Sequence, residues 1–568
     1  MSRSQALAGL VVALSLLPAA AAHAQNTPAA PAVSAQNDLG QVTVRATRVT
    51  SPLRIDGRLD DPAYSQVEAI TGLVQNMPRY GEPVSEKTEV WILFDDDNLY
   101  VSCRCWHENP AEIVVDDMRR DANQGDFFSI SLDTFYDHRN SYLLYMNPIG
   151  GMTDVLTTDE RNRNDSWNGV WDSKVSRFDH GWMGEMVIPF KTLRYRPGRD
   201  QTWGVVLRRR IRHNGDEHSF LPKMAQAWGP TANMHMSAAA TLVGIQAPPP
   251  SLNFEVKPYG ITALRTDLQA DPSFRNDPSK DLGFDVKYGI TKGLTLDGTV
   301  NTDFAQVEDD QAQVNLTRFS LFFPEKREFF LEGQGLFAFG GGSGNSNVPV
   351  MFFSRRVGLQ GGRPVPIIGG ARLTGQAGLY SIGALSITTD EDAANDIRQT
   401  TFNVVRLKRN ILRRSSIGMM ATHRSNGLDG GGSNLLYGVD GLFSFYQSLD
   451  ISGYVARTDT PGVKGDDWSY RAALDYGGDR YGLNLERLGV DDHFNPEVGF
   501  LRREAFRRTY AQARFSPRPR RGRDRLIRKF NYEANIDYIT DNQNTLESRT
   551  VQGTFRIDFQ TSNVLTSE

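Results

Sequence analysis

The stretch Trp468-Ser469-Tyr470-Arg471-Ala472-Ala473-Leu474-Asp475-Tyr476 decides the fold. Trp468, Tyr470, Ala472, Leu474 and Tyr476 alternate with Ser469, Arg471, Ala473 and Asp475. Successive strand residues point to opposite faces, so this period of two describes a ribbon with one greasy and one wet side. Two later stretches repeat it. Phe530, Tyr532, Ala534, Ile536 and Tyr538 alternate with Asn531, Glu533, Asn535 and Asp537, and Val551, Gly553, Phe555, Ile557 and Phe559 with Gln552, Thr554, Arg556 and Asp558. A tilted strand crosses a bilayer in roughly 10 residues, the length of each segment.

The same alternation marks strands near 253–264, 281–290, 294–302, 366–374, 378–388, 398–409, 414–423, 434–444, 448–457, 467–476, 480–488, 503–515, 528–540 and 547–559. Links 265–280, 303–365, 389–397, 424–433 and 489–502 are long, whereas Thr291-Lys292-Gly293, Gln376-Ala377 and Gly477-Gly478-Asp479 are tight. Outer-membrane barrels pair short periplasmic turns with longer external loops. The basic link Pro517-Arg518-Pro519-Arg520-Arg521-Gly522-Arg523 breaks this rhythm. The pattern predicts an antiparallel transmembrane β-barrel over 253–568, with lumen-lining candidates Arg471, Asp475, Glu533, Asp537, Arg556 and Asp558. The stretch 303–349 is too long for an ordinary loop and is expected either to plug the lumen or to pack on the rim. The chain stops at Thr566-Ser567-Glu568 after a short turn, so a fragment of a longer reading frame is expected.

Outward from the barrel, composition narrows the class. The chain has 568 residues, a formal charge of -4, 39% hydrophobic and 23% charged residues. Mean hydropathy is -0.43. Past the first 25 residues no apolar run could form a spanning helix, and nothing in the charge balance points to nucleic acid. Residues 1–24 read as a secretory signal peptide: Arg3, the apolar Ala6–Ala20, then Ala22-His23-Ala24 as a cleavage site. Residues 25–41 read as a flexible tether, and 246–252, containing Pro248-Pro249-Pro250, as a stiff linker. The intervening block, 42–245, has many short strands separated by Asp, Asn and Gly turns, which predicts a β-sandwich. Cys103 and Cys105 alternate within Val101-Ser102-Cys103-Arg104-Cys105-Trp106 and read as packed thiols rather than a zinc site.

The first block resembles the family 9 carbohydrate-binding module, a DOMON-like β-sandwich. The matching stretches are Ile55-Asp56-Gly57-Arg58-Leu59-Asp60-Asp61-Pro62, Asp95-Asp96-Asp97-Asn98-Leu99-Tyr100-Val101, Gly125-Asp126-Phe127-Phe128, Gly181-Trp182-Met183-Gly184-Glu185 and Ile188-Pro189-Phe190. The second block resembles an uncharacterised outer-membrane β-barrel family (DUF5916-like) that carries such a sandwich at its N-terminus. That resemblance rests on Asn301-Thr302-Asp303-Phe304-Ala305-Gln306-Val307-Glu308-Asp309-Asp310 and on Phe322-Phe323-Pro324-Glu325-Lys326-Arg327-Glu328-Phe329-Phe330-Leu331-Glu332-Gly333. Together they imply an all-β protein of the outer membrane, with the sandwich on the periplasmic side.

Sugar-binding modules stack pyranose rings on aromatic faces and hold hydroxyls with polar groups. Trp106, Trp167 and Trp228 stand among polar residues and are the platform candidates, although packing is the commoner role of a large aromatic. Arg119-Arg120-Asp121 and Gln124-Gly125-Asp126 bring a cation and carboxylates close together and could grip hydroxyls, although a solvated loop with a surface ion pair is the commoner arrangement. The carboxylates Asp121 and Asp126 could also hold Ca²⁺, as could Asp95-Asp96-Asp97, which reads better as a turn. No other cofactor is expected. No G-x-S-x-G, H-E-x-x-H or P-loop occurs, and His213 and His218 do not form a helical ligand pair. The expected function is glycan or oligosaccharide capture at the outer membrane, coupled to transport or envelope retention, with lipid around the barrel. The alternatives are a glycoside hydrolase-like enzyme, which needs two carboxylates of divergent acidity, and a structural envelope protein whose sandwich binds another protein.

Overall fold

The computed structural model describes residues 33–568 except 116, 123–124, 166, 197, 249–253, 269–272, 292, 302–313, 317, 342–345, 361–362, 392–396, 413, 429–431 and 520–525. The expected signal peptide, residues 25–32 of the tether, Glu308-Asp309-Asp310 and the arginines of 520–523 lie outside the described residues.

The chain is all-β and its N-terminal part is a sandwich. One sheet runs in the order Ser34–Gln36, Val42–Arg45, Ala240–Gln246, Asp200–Ile211, Phe127–Asp133, Ser141–Met146, Met152–Thr158, Asn162–Asn164, while Glu217–Leu221 branches from Asp200–Ile211 and pairs in turn with Val74–Met77. The facing sheet runs Asp172–Phe178, Gly181–Pro189, Asn98–Trp106, Thr88–Phe94, Thr47–Arg48. Val90, Ile92, Val101, Phe128, Ile130, Leu132, Trp182, Trp203 and Leu207 are buried in the core. Each large apolar side chain so buried contributes on the order of 1.5–3 kcal/mol. Cys103 and Cys105 are free thiols in this core, with Sγ atoms 3.7 Å apart.

Two of the quoted motifs lock together. The Glu185 carboxylate accepts the backbone N–H of Gly57 at 2.8 Å and of Asp56 at 3.1 Å, and the Tyr64 hydroxyl at 2.6 Å. Gly57 has φ +85°, and a Cβ there would lie 2.7 Å from the Val175 carbonyl carbon. The segment can therefore cross strand Asp172–Phe178 only as glycine. In the Asp95-Asp96-Asp97 turn, Asp95 Oδ1 accepts the N–H groups of Asp97 and Asn98, and Oδ2 accepts the Tyr100 hydroxyl. A side chain spent on its own turn is an Asx motif.

The C-terminal part is a 15-stranded antiparallel sheet of barrel type in strict chain order. It runs from Phe254–Asp267 and Phe274–Gly289 through Leu294–Val300, Ile367–Ala377, Tyr380–Thr389, Thr400–Ile411, Ser415–Arg424, Asn434–Phe445, Leu449–Asp459, Trp468–Gly477, Tyr481–Val490, Phe506–Phe515, Ile527–Asp541 and Leu546–Phe559 to Val564–Ser567. The first fourteen overlie the fourteen alternating segments. The first long link is shorter than the sequence suggested. Pairings such as Leu264↔Pro278 and Arg265↔Asp277 extend both strands through residues whose polarity reads as loop. Backbone pairing does not require apolar side chains, so the hairpin outruns its greasy band.

One face of this sheet exposes Val405, Ile417, Met419, Tyr437, Val439, Ile451, Val455, Leu485, Ile536 and Val551. The other buries Leu385, Ile387, Val404, Met420, Leu436, Tyr454 and Leu488 against Phe329, Phe330, Phe337 and Phe339 of the long connection. That connection includes a short helix, Glu328–Leu331. No helix among the described residues is long and apolar enough to cross a membrane.

Candidate functional site

Strand Met152–Thr158 carries Asp154 at a fully buried position on the sandwich edge. Its Oδ1 accepts the Arg120 guanidinium at 2.8 Å, and its Oδ2 accepts the Gly169 N–H at 2.5 Å. Arg120 Nε also donates to Asn168 Oδ1 at 3.0 Å. Burial pushes the Asp154 carboxyl up, against the pull of the Gly169 N–H and Arg120. The guanidinium is thus fixed in direction while 39% of the side chain stays open to solvent. Beside it, Asp121 adopts φ +66° and ties its N–H to the Met152 carbonyl at 2.9 Å. Burial also raises the Asp121 carboxyl. Trp167 is half-buried, its ring 5.2 Å from Tyr142 and packed over Gly169. An oriented guanidinium, a carboxylate, the exposed Asn168 amide and an indole edge suit a polyhydroxylated ring, because charge-assisted donors fix hydroxyls while the aromatic covers an apolar face.

The other candidates are placed elsewhere. Arg119 turns to solvent and pairs with Asp117 at 2.6 Å, so Arg120 is the working member of Arg119-Arg120-Asp121. Trp106 is the last residue of its strand rather than a loop residue. Its Nε1 donates to Glu89 at 2.9 Å and its ring meets Phe178 edge-on at 5.1 Å. Trp228 stacks on His235 at 4.1 Å. Asp126 is buried and accepts the Arg212 N–H at 2.7 Å. The six therefore do not form one site. Only Trp167 and Asp121 stand at the Arg120 clamp, and Arg120, Asp154 and Asn168 complete it.

The wet face of the barrel sheet is a ladder of ion pairs. Arg471 Nε meets Glu486 Oε2 at 2.7 Å, Glu486 Oε1 meets Arg508 at 2.6 Å, and Arg508 Nε meets Asp537 Oδ1 at 2.7 Å. Asp475 accepts Asn484 at 3.3 Å, and Asp558 holds Arg556 at 2.7 Å and Asn531 at 3.0 Å. Glu533 is half-buried, in cross-strand register with Arg514. A cavity of ≈ 190 Å³ lies among Arg161, Asp450, Arg471, Asp475, Glu486 and Arg508. The long connection is gripped from this face. Arg406 makes a bidentate pair with Asp440 at 2.7 and 2.8 Å and donates to the Ala338 carbonyl at 3.1 Å. Arg471 reaches the Gly340 carbonyl at 3.2 Å.

The sandwich meets the barrel at the end with the short links. Asp159 pairs with Lys408 at 2.7 Å, Glu160 with Arg414 at 2.9 Å, and Arg161 with Asp450. Burial raises Asp159, but Lys408 and Arg139 outweigh it and hold this carboxylate below its ordinary value. Glu332 of the long connection takes both Arg194 from the sandwich and Lys287 from the sheet.

Residues 249–365 match the model of a family described as a domain of unknown function, DUF5916. No curated protein matches the chain. Among solved structures, the chain is similar to a family 9 carbohydrate-binding module from Caldicellulosiruptor kristjanssonii in complex with cellotriose, at 16% identity over 36% of this chain and 95% of that one, TM-score 0.26. It is also similar to OpdQ of Pseudomonas aeruginosa, at 10% identity over 78% of this chain and 96% of that one, TM-score 0.25. A third is a BenF-like porin from Pseudomonas fluorescens, at 11% identity over 75% and 95%, TM-score 0.23.

Proposed function

We propose that this chain is a carbohydrate-binding protein held in the outer membrane by its barrel, and that the barrel acts as an anchor rather than as an open pore. The observation that carries the binding half is the Arg120 clamp: a guanidinium aimed by a buried carboxylate, exposed beside Trp167, Asp121 and Asn168. Such a constellation captures a glycan by hydrogen-bonding its hydroxyls and shielding one ring face. The retention half rests on the apolar outer face and on the phenylalanine-rich connection along the inner one. The sandwich sits against the short links, the periplasmic side in outer-membrane barrels. Hydrolysis is the weaker reading, because Asp154 is fully buried behind Arg120 and does not face a substrate.

The test is tryptophan fluorescence of the full-length protein in detergent, titrated with a panel of β-linked gluco- and xylo-oligosaccharides. A saturable change, weakened about tenfold or more by Arg120→Ala or Trp167→Ala, is expected, since each removes on the order of 1.5–3 kcal/mol of contact. No response to any glycan, or a response untouched by both substitutions, would sink the assignment.

A further inference from the structure

A second group of polar side chains, unused by the glycan clamp, meets at another end of the sandwich. Glu86 precedes strand Thr88–Phe94, His107 follows Asn98–Trp106, Asp126 precedes Phe127–Asp133 and His213 follows Asp200–Ile211. One donor atom each from Glu86, His107 and His213 lies within 4.8 Å of the others. His213 Nε2 is 3.9 Å from Glu86 Oε1, and His107 Nε2 is 3.8 Å from Asp126 Oδ2. The His107 side chain is completely buried, yet no group among the described residues bonds to either of its ring nitrogens. His213 Nδ1 and Asp126 Oδ2 likewise have no partner among the described residues. Buried imidazoles normally spend their nitrogens on hydrogen bonds, so two histidines with unpartnered ring nitrogens, gathered beside Glu86 and Asp126, need an explanation.

We infer that Glu86, His107 and His213 form a binding site for a divalent transition-metal ion, zinc foremost, with Asp126 as the adjoining carboxylate. Two imidazole nitrogens and a carboxylate oxygen suit zinc, whereas calcium prefers six to eight oxygens. Zinc–nitrogen bonds of about 2.0–2.1 Å require the donors to close by roughly 1 Å, which side-chain rotation supplies.

The surroundings support such a closure. Arg209 is buried and spends its guanidinium on the carbonyls of Glu86, Lys87 and Trp106 and on Thr88 Oγ1. It thereby fixes the two connections that carry Glu86 and His107. The Glu86 Oε2 atom accepts the Glu108 N–H at 3.0 Å, which leaves Oε1 toward His213. Glu112, 3.6 Å from His213 Nε2 and 54% exposed, offers an entry from solvent and offsets the Arg209 charge. The ion ties three connections of the sandwich into one unit. Its assignment is independent of the glycan reading, and either can fail alone.

The experiment uses full-length protein without a histidine tag, stripped with EDTA in detergent and titrated with Zn²⁺ against a fluorescent chelator. One zinc per chain is expected, with affinity reduced at least about 30-fold by His213→Gln and by Glu86→Gln, and unchanged by His423→Gln on the barrel strand. Cobalt loading should give the visible absorption of a low-coordinate N/O site, abolished in the same two variants. Tryptophan fluorescence checks that each variant is folded. His213 and Glu86 are only partly buried, so the pair still decides the matter should His107→Gln not fold. No uptake by the wild type, uptake unaltered in both variants, or displacement by equimolar Ca²⁺ would each overturn the site.

Discussion

Replacing Asp154 by Asn keeps the shape of the Arg120 clamp and removes its charge. The side chain is fully buried, and both oxygens are committed to charge-assisted or backbone donors. Asp154→Asn is expected to cost about 2 kcal/mol, read as a shift of the urea midpoint of tryptophan fluorescence, and to weaken glycan binding in the same direction as Arg120→Ala. An unchanged midpoint would show the pair to be ornamental. His218 gives a second prediction at this scale. Burial, reinforced by Arg208 and opposed by Asp216, lowers its imidazole to about 4. The unfolded chain, with its ordinary value near 6.5, binds the proton more readily. Stability is therefore full above about pH 6.5 and falls as the pH drops toward 4. His218→Gln should flatten that part of the profile. At this scale the sequence was half legible. Trp167 stands out because an aromatic amid Arg163, Asn164, Asp165 and Asn168 is conspicuous. Arg120 and Asp154 are 34 positions apart and meet only through the sheet. The His107–His213–Glu86 group has no local spacing at all, because its donors come from separate strand ends.

Among elements, alternation carried the barrel. A period of two needs no long-range knowledge, and a one-residue slip would turn a whole strand inside out, so strand positions were readable from local pattern. The extension of the first hairpin into polar residues was not, since hydrogen bonding leaves no mark on composition. Motifs in the sandwich were visible as strings, but their reason is the contact between them, Glu185 on Gly57 across 128 positions. The docking of the two parts was equally hidden. One of its pairs, Lys408 with Asp159, is nearly buried at 10% and 12% exposure. A double-mutant cycle with Lys408→Met and Asp159→Asn should give a coupling energy on the order of 1–2 kcal/mol in thermal unfolding. Simple additivity would mean that the sandwich merely rests on the barrel.

For the whole molecule, the filled inner face is the property to challenge. In a planar bilayer the wild type should pass no steady current. Arg406→Ala removes the ion pair with Asp440 and releases the Ala338 carbonyl, leaving Asp440 the Gly340 N–H of the connection, so it is expected to produce openings that the wild type lacks. An open wild-type channel would contradict the anchor reading and favour transport. Glu332 carries this one step further, because a single carboxylate engages Arg194 of one body and Lys287 of the other. Withdrawing either body takes one of its two cations from that carboxylate. One side chain of the long connection therefore answers to both halves of the protein, so a change that unseats the sandwich is also felt by the segment lying along the sheet.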